Sequence, residues 1–148
     1  MPRSRPADRP RESATPERLA DALAQTGFAT VGLLTRLAAD HDLSLTQVRV
    51  LAILRDRRLR MSDLADHLGL ERSTLSGLVD RAEARGLLRR VSCAEDRRAV
   101  EVELTPAGRE LAARGGAAFA AGLAPLTTRL TVAEQAGLVD LLERMLAI

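Results

Sequence analysis

Apolar positions along this chain recur at helical spacing over most of its length and switch to strict alternation once. Leu19, Leu23, Val31, Leu34, Leu37 and Ala38 return every three to four residues or a multiple of that, which predicts a long amphipathic helix over about 17–39. Thr15 followed by Pro16 supplies an N-cap and a first-turn proline for it. Ser44-Leu45-Thr46-Gln47 has the form of a capping box, with Val48, Leu51, Ala52 and Leu54 on one face behind it, so a helix is expected near 45–57. A short helix is expected over 62–68, with Leu64, Ala65 and Leu68 inward and Gly69 ending it. Another follows at about 72–85, striped by Leu75, Leu78, Val79 and Ala82 and ended by Gly86. Two short helices around a tight glycine turn are the pattern of a helix-turn-helix.

The alternation comes next. Val100, Val102 and Leu104 face one way and Glu101 and Glu103 the other, which predicts a half-buried strand. With Leu87-Leu88-Arg89-Arg90-Val91 before it and the charged run Ser92 to Arg98 between, it reads as a β-hairpin, the wing of a winged helix-turn-helix. Thr105-Pro106 then opens an alanine-rich helix over about 106–124 that contains Gly115, Gly116 and Gly122, and Pro125 is expected to kink or end it. Those glycines suit either close helix packing, the safer reading, or a flexible joint. Thr131-Val132-Ala133-Glu134 is a second capping box, and Leu138, Leu141, Leu142, Met145 and Leu146 line a last helix. The expected fold is mainly α with a small β-hairpin wing, flanked by N- and C-terminal dimerisation helices. The expected parts are a disordered basic tail (1–15), an N-terminal dimerisation helix (16–43), the winged lobe (44–104) and C-terminal dimerisation helices (105–148). One small winged domain cannot cover the apolar faces of the flanking helices, and a homodimer is the economical solution.

Composition narrows the class. At 148 residues the chain has room for one ordinary domain, and 46% apolar residues support a real core. No apolar run approaches the ~20 residues of a membrane helix, and the arginines near the start are not followed by the apolar stretch of a secretory signal. With a single cysteine, no intrachain disulfide is expected, which together points to the cytoplasm. All 22 basic residues are arginine, twelve of them in 44–104 against ten acids. A GC-rich coding bias accounts for the absence of lysine; arginine also suits phosphate and guanine recognition. Phe28 and Phe119 are the only aromatics, too few for a base-stacking platform.

Several short motifs together carry a resemblance. Asp96-Arg97-Arg98, then Leu104-Thr105-Pro106-Ala107-Gly108, resembles the wing-tip D-x-R and following L-T-x-x-G of the MarR family of transcriptional regulators. Leu64-Ala65-Asp66-His67-Leu68-Gly69-Leu70, Leu78-Val79-Asp80-Arg81 and Gly86-Leu87-Leu88 resemble the same family, and the likeness covers about 17–147. The resemblance implies a homodimer on a pseudo-palindromic double-stranded DNA operator, with each recognition helix in a major groove and each wing at an adjacent minor groove. It also implies a small effector, often an aromatic acid or another lipophilic compound, that releases the DNA.

On that reading Arg72, Ser73, Thr74 and Ser76 of the 72–85 helix are the candidate DNA contacts, Arg72 with guanine or phosphate. Arg97 and Arg98 are the wing candidates: one enters the minor groove and the other pairs with Asp96, which stabilises the wing. Arg89 and Arg90 either reach phosphates or pair with Glu101 and Glu103, and pairing suits one of them. Gly77 and Glu71 depart from the family pattern, Gly77 by weakening the helix and Glu71 by placing a carboxylate near the DNA. Cys93 reads as a structural thiol rather than a redox sensor. His41 and His67 give only partial metal-ligand sets with Asp40, Asp42 or Asp66. No metal site, cofactor or catalytic constellation is expected, hence no enzyme. The alternatives are a ligand-independent architectural DNA binder and a winged-helix module that binds protein.

Overall fold

Side chains that the sequence places at helix starts make the expected caps. The computed structural model describes residues 15–93, 96 and 98–146. Helix α1 spans Pro16–Ala39, and the Arg18 N–H donates to Thr15 Oγ1 (3.3 Å) at its start. Helix α2 spans Leu45–Ile53, with the Ser44–Gln47 box closed in both directions (2.8 and 3.2 Å). A two-residue strand β1, Leu59–Arg60, leads into helix α3, Met61–Leu68, and then helix α4, Arg72–Ala84. Strands β2, Leu88–Ser92, and β3, Val100–Leu104, form the hairpin. Helix α5, Pro106–Thr127, is capped by Thr105 (3.0 Å to the Gly108 N–H), and helix α6, Val132–Leu146, by the Thr131–Glu134 box (2.8 and 3.3 Å). Gly69 (φ 65°) and Gly86 (φ 70°) end α3 and α4 in the left-handed region. In each case the next residue bonds back, Leu70 N–H to Ala65 (3.0 Å) and Leu87 N–H to Ala82 (2.9 Å).

The chain divides into two units, one ending at Gly32 and one beginning at Leu33. The described part of the first is the N-terminal stretch of α1, on which Leu19, Leu23, Phe28 and Val31 are all exposed. The second unit holds the core. Leu54 of the α2 turn, Leu64 of α3, Leu75 and Val79 of α4, Leu88 of β2 and Val102 and Leu104 of β3 are fully buried. The inward stripes expected for α3 and α4 are all buried. On α6, Leu138, Leu141, Leu142, Met145 and Leu146 are exposed instead, and none of its residues is buried. No described helix is long and apolar enough to cross a membrane.

Five expectations need correction. Helix α2 stops at Ile53, not near 57, because Leu54 turns into the core and Arg57 Nε donates to the Ile53 carbonyl (3.1 Å). Its core side is Val50 and Leu51 with Leu54, while Val48 and Ala52 face elsewhere. The sheet has three strands, ordered β1-β3-β2 and antiparallel throughout, because Leu59 and Arg60 pair with Val102 and Glu101. Pro125 does not end α5, which runs to Thr127; its last turn is held by the Thr128 N–H on Ala124 (2.9 Å) and by the Thr127 and Thr128 hydroxyls on Leu123 and Ala124. Val100 is 42% exposed despite the alternation that predicts burial.

Two glycines show opposite constraints. A Cβ at Gly108 would stand 2.0 Å from the Leu87 carbonyl oxygen. A Cβ at Gly77, in the middle of α4, would meet only Arg81 Nη1, at 3.5 Å. Gly77→Ala is therefore expected to raise stability by about 1 kcal/mol, the difference in helix propensity. A urea midpoint unchanged or lowered at constant slope would contradict this.

Candidate functional site

Helix α4 turns Leu75, Leu78, Val79 and Ala82 into the core and leaves its first turn outside. Arg72, Ser73 and Thr74 are exposed there, on the side opposite the apolar stripe. Glu71, the N-cap, makes no side-chain cap bond. Ser76 differs from the other three: it is half-buried, and Arg90 Nη2 lies 3.4 Å from its hydroxyl.

The hairpin register explains that contact. Arg89 stands opposite Glu103, and Arg89 Nε donates to Glu103 Oε1 (2.6 Å). Arg90, one residue on, points to the opposite sheet face, where α4 lies. There Arg90 Nη2 donates to Asp80 Oδ1 (2.6 Å), Nη1 donates to Glu83 Oε2, and the Arg90 N–H donates to Glu83 Oε1 (3.1 Å). Burial works against the Arg90 charge, but the bonds to Asp80 and Glu83 outweigh it and hold the guanidinium above its ordinary range. One side chain thus locks the wing to α4. Glu101 is taken by Arg58, whose Nε lies 3.1 Å from Oε2.

At the wing tip, Asp96 Oδ1 accepts the Arg98 N–H (3.0 Å) and the Asp96 carbonyl accepts the Ala99 N–H (2.9 Å). Asp96 therefore shapes the turn through the backbone, and the Arg98 side chain is exposed. Arg97 lies outside the described residues. Cys93 is buried at 4% exposure, with Arg60 Nη2 3.8 Å from its sulfur. That contact is the main reason the Arg60 guanidinium is held above its ordinary range.

A separate cavity of about 470 Å³ opens behind the winged lobe. Its wall is mostly apolar, with Leu37, Val48, Leu51, Ala52, Leu111 and Phe119, and with His41, Arg49 and Arg55 as its polar groups. This is where Val48 and Ala52 of α2 go. Gly115 and Gly116 also line it, each with open space where a Cβ would be. Close packing is found instead at Gly122, where a Cβ would be 2.7 Å from Leu33 Cδ2. The loop between α1 and α2 borders the cavity through His41 and Leu43 and is gripped by Arg85, the C-cap of α4. Arg85 Nη2 donates to the His41 carbonyl (2.7 Å) and Nη1 to that of Asp42 (2.8 Å), a non-glycine residue at φ 53°. Among the described residues, no group of three potential ligands can hold a metal ion.

A MarR family model matches residues 41–99, from the gripped loop to the tip of the wing. The HTH-type transcriptional regulator YfiV of Bacillus subtilis (strain 168) is 42% identical over 65 residues, 43% of this chain and 41% of that protein. The chain thus spans under half the length of that relative. The solved structure of wild-type MarR from E. coli, in its apo form, superposes with a TM-score of 0.70 at 26% identity, covering 91% of this chain and 98% of that one. Residues 41–99 are thus similar to the MarR family, and the chain shares the fold of MarR over 91% of its length. NadR, solved in complex with 4-hydroxyphenylacetate, has the same fold at 23% identity, with a TM-score of 0.72 and coverage of 95% of this chain and 97% of that one.

The relatives this chain matches include transcriptional regulators, and residues 41–99, most of the winged lobe described above, carry the family match. The structure brings Arg72, Ser73 and Thr74 to one exposed helix turn and sets Ser76 under Arg90. Sequence reasoning did not find the Arg90–Asp80–Glu83 lock. The signal was present in the alternation: once Arg89 faces Glu103, Arg90 must face the other side. Arg85, which ties α4 to the cavity loop, carried no local signal, since its partners lie 43 and 44 residues away.

Proposed function

We propose that this chain is a homodimeric, sequence-specific DNA-binding repressor of the cytoplasm whose hold on its operator is loosened by a small apolar acid. The observation that carries the DNA reading is the exposed Arg72-Ser73-Thr74 turn of a helix-turn-helix beside a wing locked to it by Arg90. In this reading Arg72, Ser73, Thr74 and Ser76 meet the major groove. One of Arg97 and Arg98 reaches the minor groove, and Asp96 holds the turn. Residues 44–104 are the DNA-binding lobe. The exposed apolar residues of α6 and of the N-terminal part of α1 are covered by a second copy.

The effector reading rests on the cavity. Its ~470 Å³ lies in the size range of small-molecule sites, and an apolar wall with Arg49, Arg55 and His41 suits an aromatic body bearing a carboxylate. NadR was solved with a ligand of that kind. Fluorescence anisotropy of labelled duplex from upstream of the chain's own gene, beside a scrambled duplex at two salt concentrations, tests the DNA reading. The upstream duplex is expected to bind tighter by about 4 kcal/mol or more. Equal, steeply salt-dependent binding to both would favour an architectural binder, and no binding to either would favour a protein-interaction module. Adding salicylate or 4-hydroxyphenylacetate to the specific complex is expected to lower its affinity at least about tenfold, within the usual span of allosteric coupling.

A further inference from the structure

We propose that a second, smaller cavity at the base of the wing seats one sugar–phosphate unit of the DNA backbone; the proposal rests on the DNA-binding reading above. Four elements meet there: Arg60 of β1, Met61 and Ser62 of α3, Arg72 at the start of α4, and Ala99 and Val100 at the entry to β3. The space measures about 220 Å³, far more than the ~10–15 Å³ a single ordered water requires.

The charge on its described lining is positive. Within the lobe Arg55, Arg58, Arg89 and Arg90 are all engaged by carboxylates. Arg60 and Arg72 form no such ion pair among the described residues, and the described lining of the cavity contains two arginines and no acid. Three acids adjoin the wall in sequence, Asp63, Glu71 and Glu101, and none is part of its described lining: Asp63 accepts from the Ser62 hydroxyl (3.1 Å) and Glu101 pairs with Arg58, while Asp63 and Asp96 act on the Arg60 charge from outside it. Arg60 occupies the N-cap of α3 without capping it, so the amides of that first turn add to the positive potential already set by the two guanidinium groups.

The rest of the wall is apolar. Val100, Ala99 and Met61 form it, and Val100 is the residue whose 42% exposure breaks the alternation of β3. A free anion has no use for that surface, whereas a phosphate carrying its deoxyribose fills both halves. The location agrees. If α4 enters a major groove and the wing the adjacent minor groove, the ridge between the two grooves is a phosphate backbone, and it must cross the protein between the start of α4 and the wing. The cavity lies between those two elements. Arg72 is thereby assigned to phosphate rather than guanine, and the seat fixes register on the duplex without reading sequence.

The test uses the full chain and the same two labelled duplexes, with affinity followed against salt. Arg60→Met and Arg72→Met keep the alkyl stems and remove the charge. Each is expected to reduce the magnitude of the log–log salt slope by up to about 1.8, about 0.9 for the seat in each protomer of the dimer, and to weaken the upstream and scrambled duplexes by the same factor. Arg60→Lys is expected to restore the slope. Val100→Asp, at an exposed position that tolerates polarity, is expected to weaken both duplexes equally while thermal unfolding stays near wild type, so the test survives if Arg60→Met does not fold. Unchanged slopes with intact wild-type binding would overturn the seat and leave the DNA reading standing. Weakening of the upstream duplex alone would assign Arg72 to bases and also overturn it. Failure of the wild-type chain to bind either duplex would remove both.

Discussion

Gly108→Ala is expected to lower stability by about 3 kcal/mol or more, far beyond a typical surface substitution. The cause is a backbone contact that no side chain can relieve. Thr105 closes the exit of the wing: its N–H bonds the Leu87 carbonyl (3.0 Å), and its hydroxyl donates to the Gly86 carbonyl (2.6 Å) while accepting the Gly108 N–H (3.0 Å). This brings the first turn of α5 against the Leu87 peptide, where an alanine methyl would sit 2.0 Å from the oxygen. Leu87 and Leu88 are both buried, so shifting that peptide disturbs the core on either side. Urea unfolding of the alanine variant measures the cost. A loss under about 1 kcal/mol would show that the chain can slide apart here at little expense. Gly77→Ala makes the matched control, since the same added methyl there meets only a flexible arginine end.

Leu141→Glu is expected to turn the dimer into a monomer and to cut operator affinity by about 10²–10⁴-fold. Leu141 is 60% exposed on α6, among neighbours that are also exposed, so within one chain a charge there is well hydrated and the fold should persist. Between two chains it would bury a carboxylate in an apolar seam. Each half-site would then be held alone, and the gain from linking two recognition helices would vanish without any DNA contact being altered. Light scattering gives the mass and anisotropy gives the affinity. A variant that stays dimeric would place the seam elsewhere. A monomer that keeps full affinity would argue against two-fold recognition.

Features written in neighbouring residues were legible from the chain alone. The Ser44–Gln47 and Thr131–Glu134 boxes span three positions, and the stripe Leu75, Leu78, Val79, Ala82 needs only the helical period. The exposed turn Arg72-Ser73-Thr74 followed from the same stripe by opposition. Strand β1 was not legible because two residues are too few to show a period; its pairing with Val102 and Glu101 is set from across the sheet. Helix α5 passes Pro125 because threonine hydroxyls and the Thr128 amide secure the turn that follows it, a balance that propensity does not express. Val100 belongs by period to the core, yet the strand meets the core only from Val102 onward. The larger cavity draws on residues from Leu34 to Phe119, a spread that no local pattern displays.

The grip of Arg85 on the His41 and Asp42 carbonyls carries a thermodynamic obligation. The same guanidinium ends the helix proposed to read DNA and fixes the loop that borders the effector cavity, so the two sites share one mechanical joint. Linkage is symmetric. If an acid in the cavity weakens operator binding by some factor, operator DNA must weaken binding of that acid by the same factor. The regulator would then meter its effector most sensitively when it is off the DNA, and the number of vacant operators in the cell would help set the concentration at which it responds.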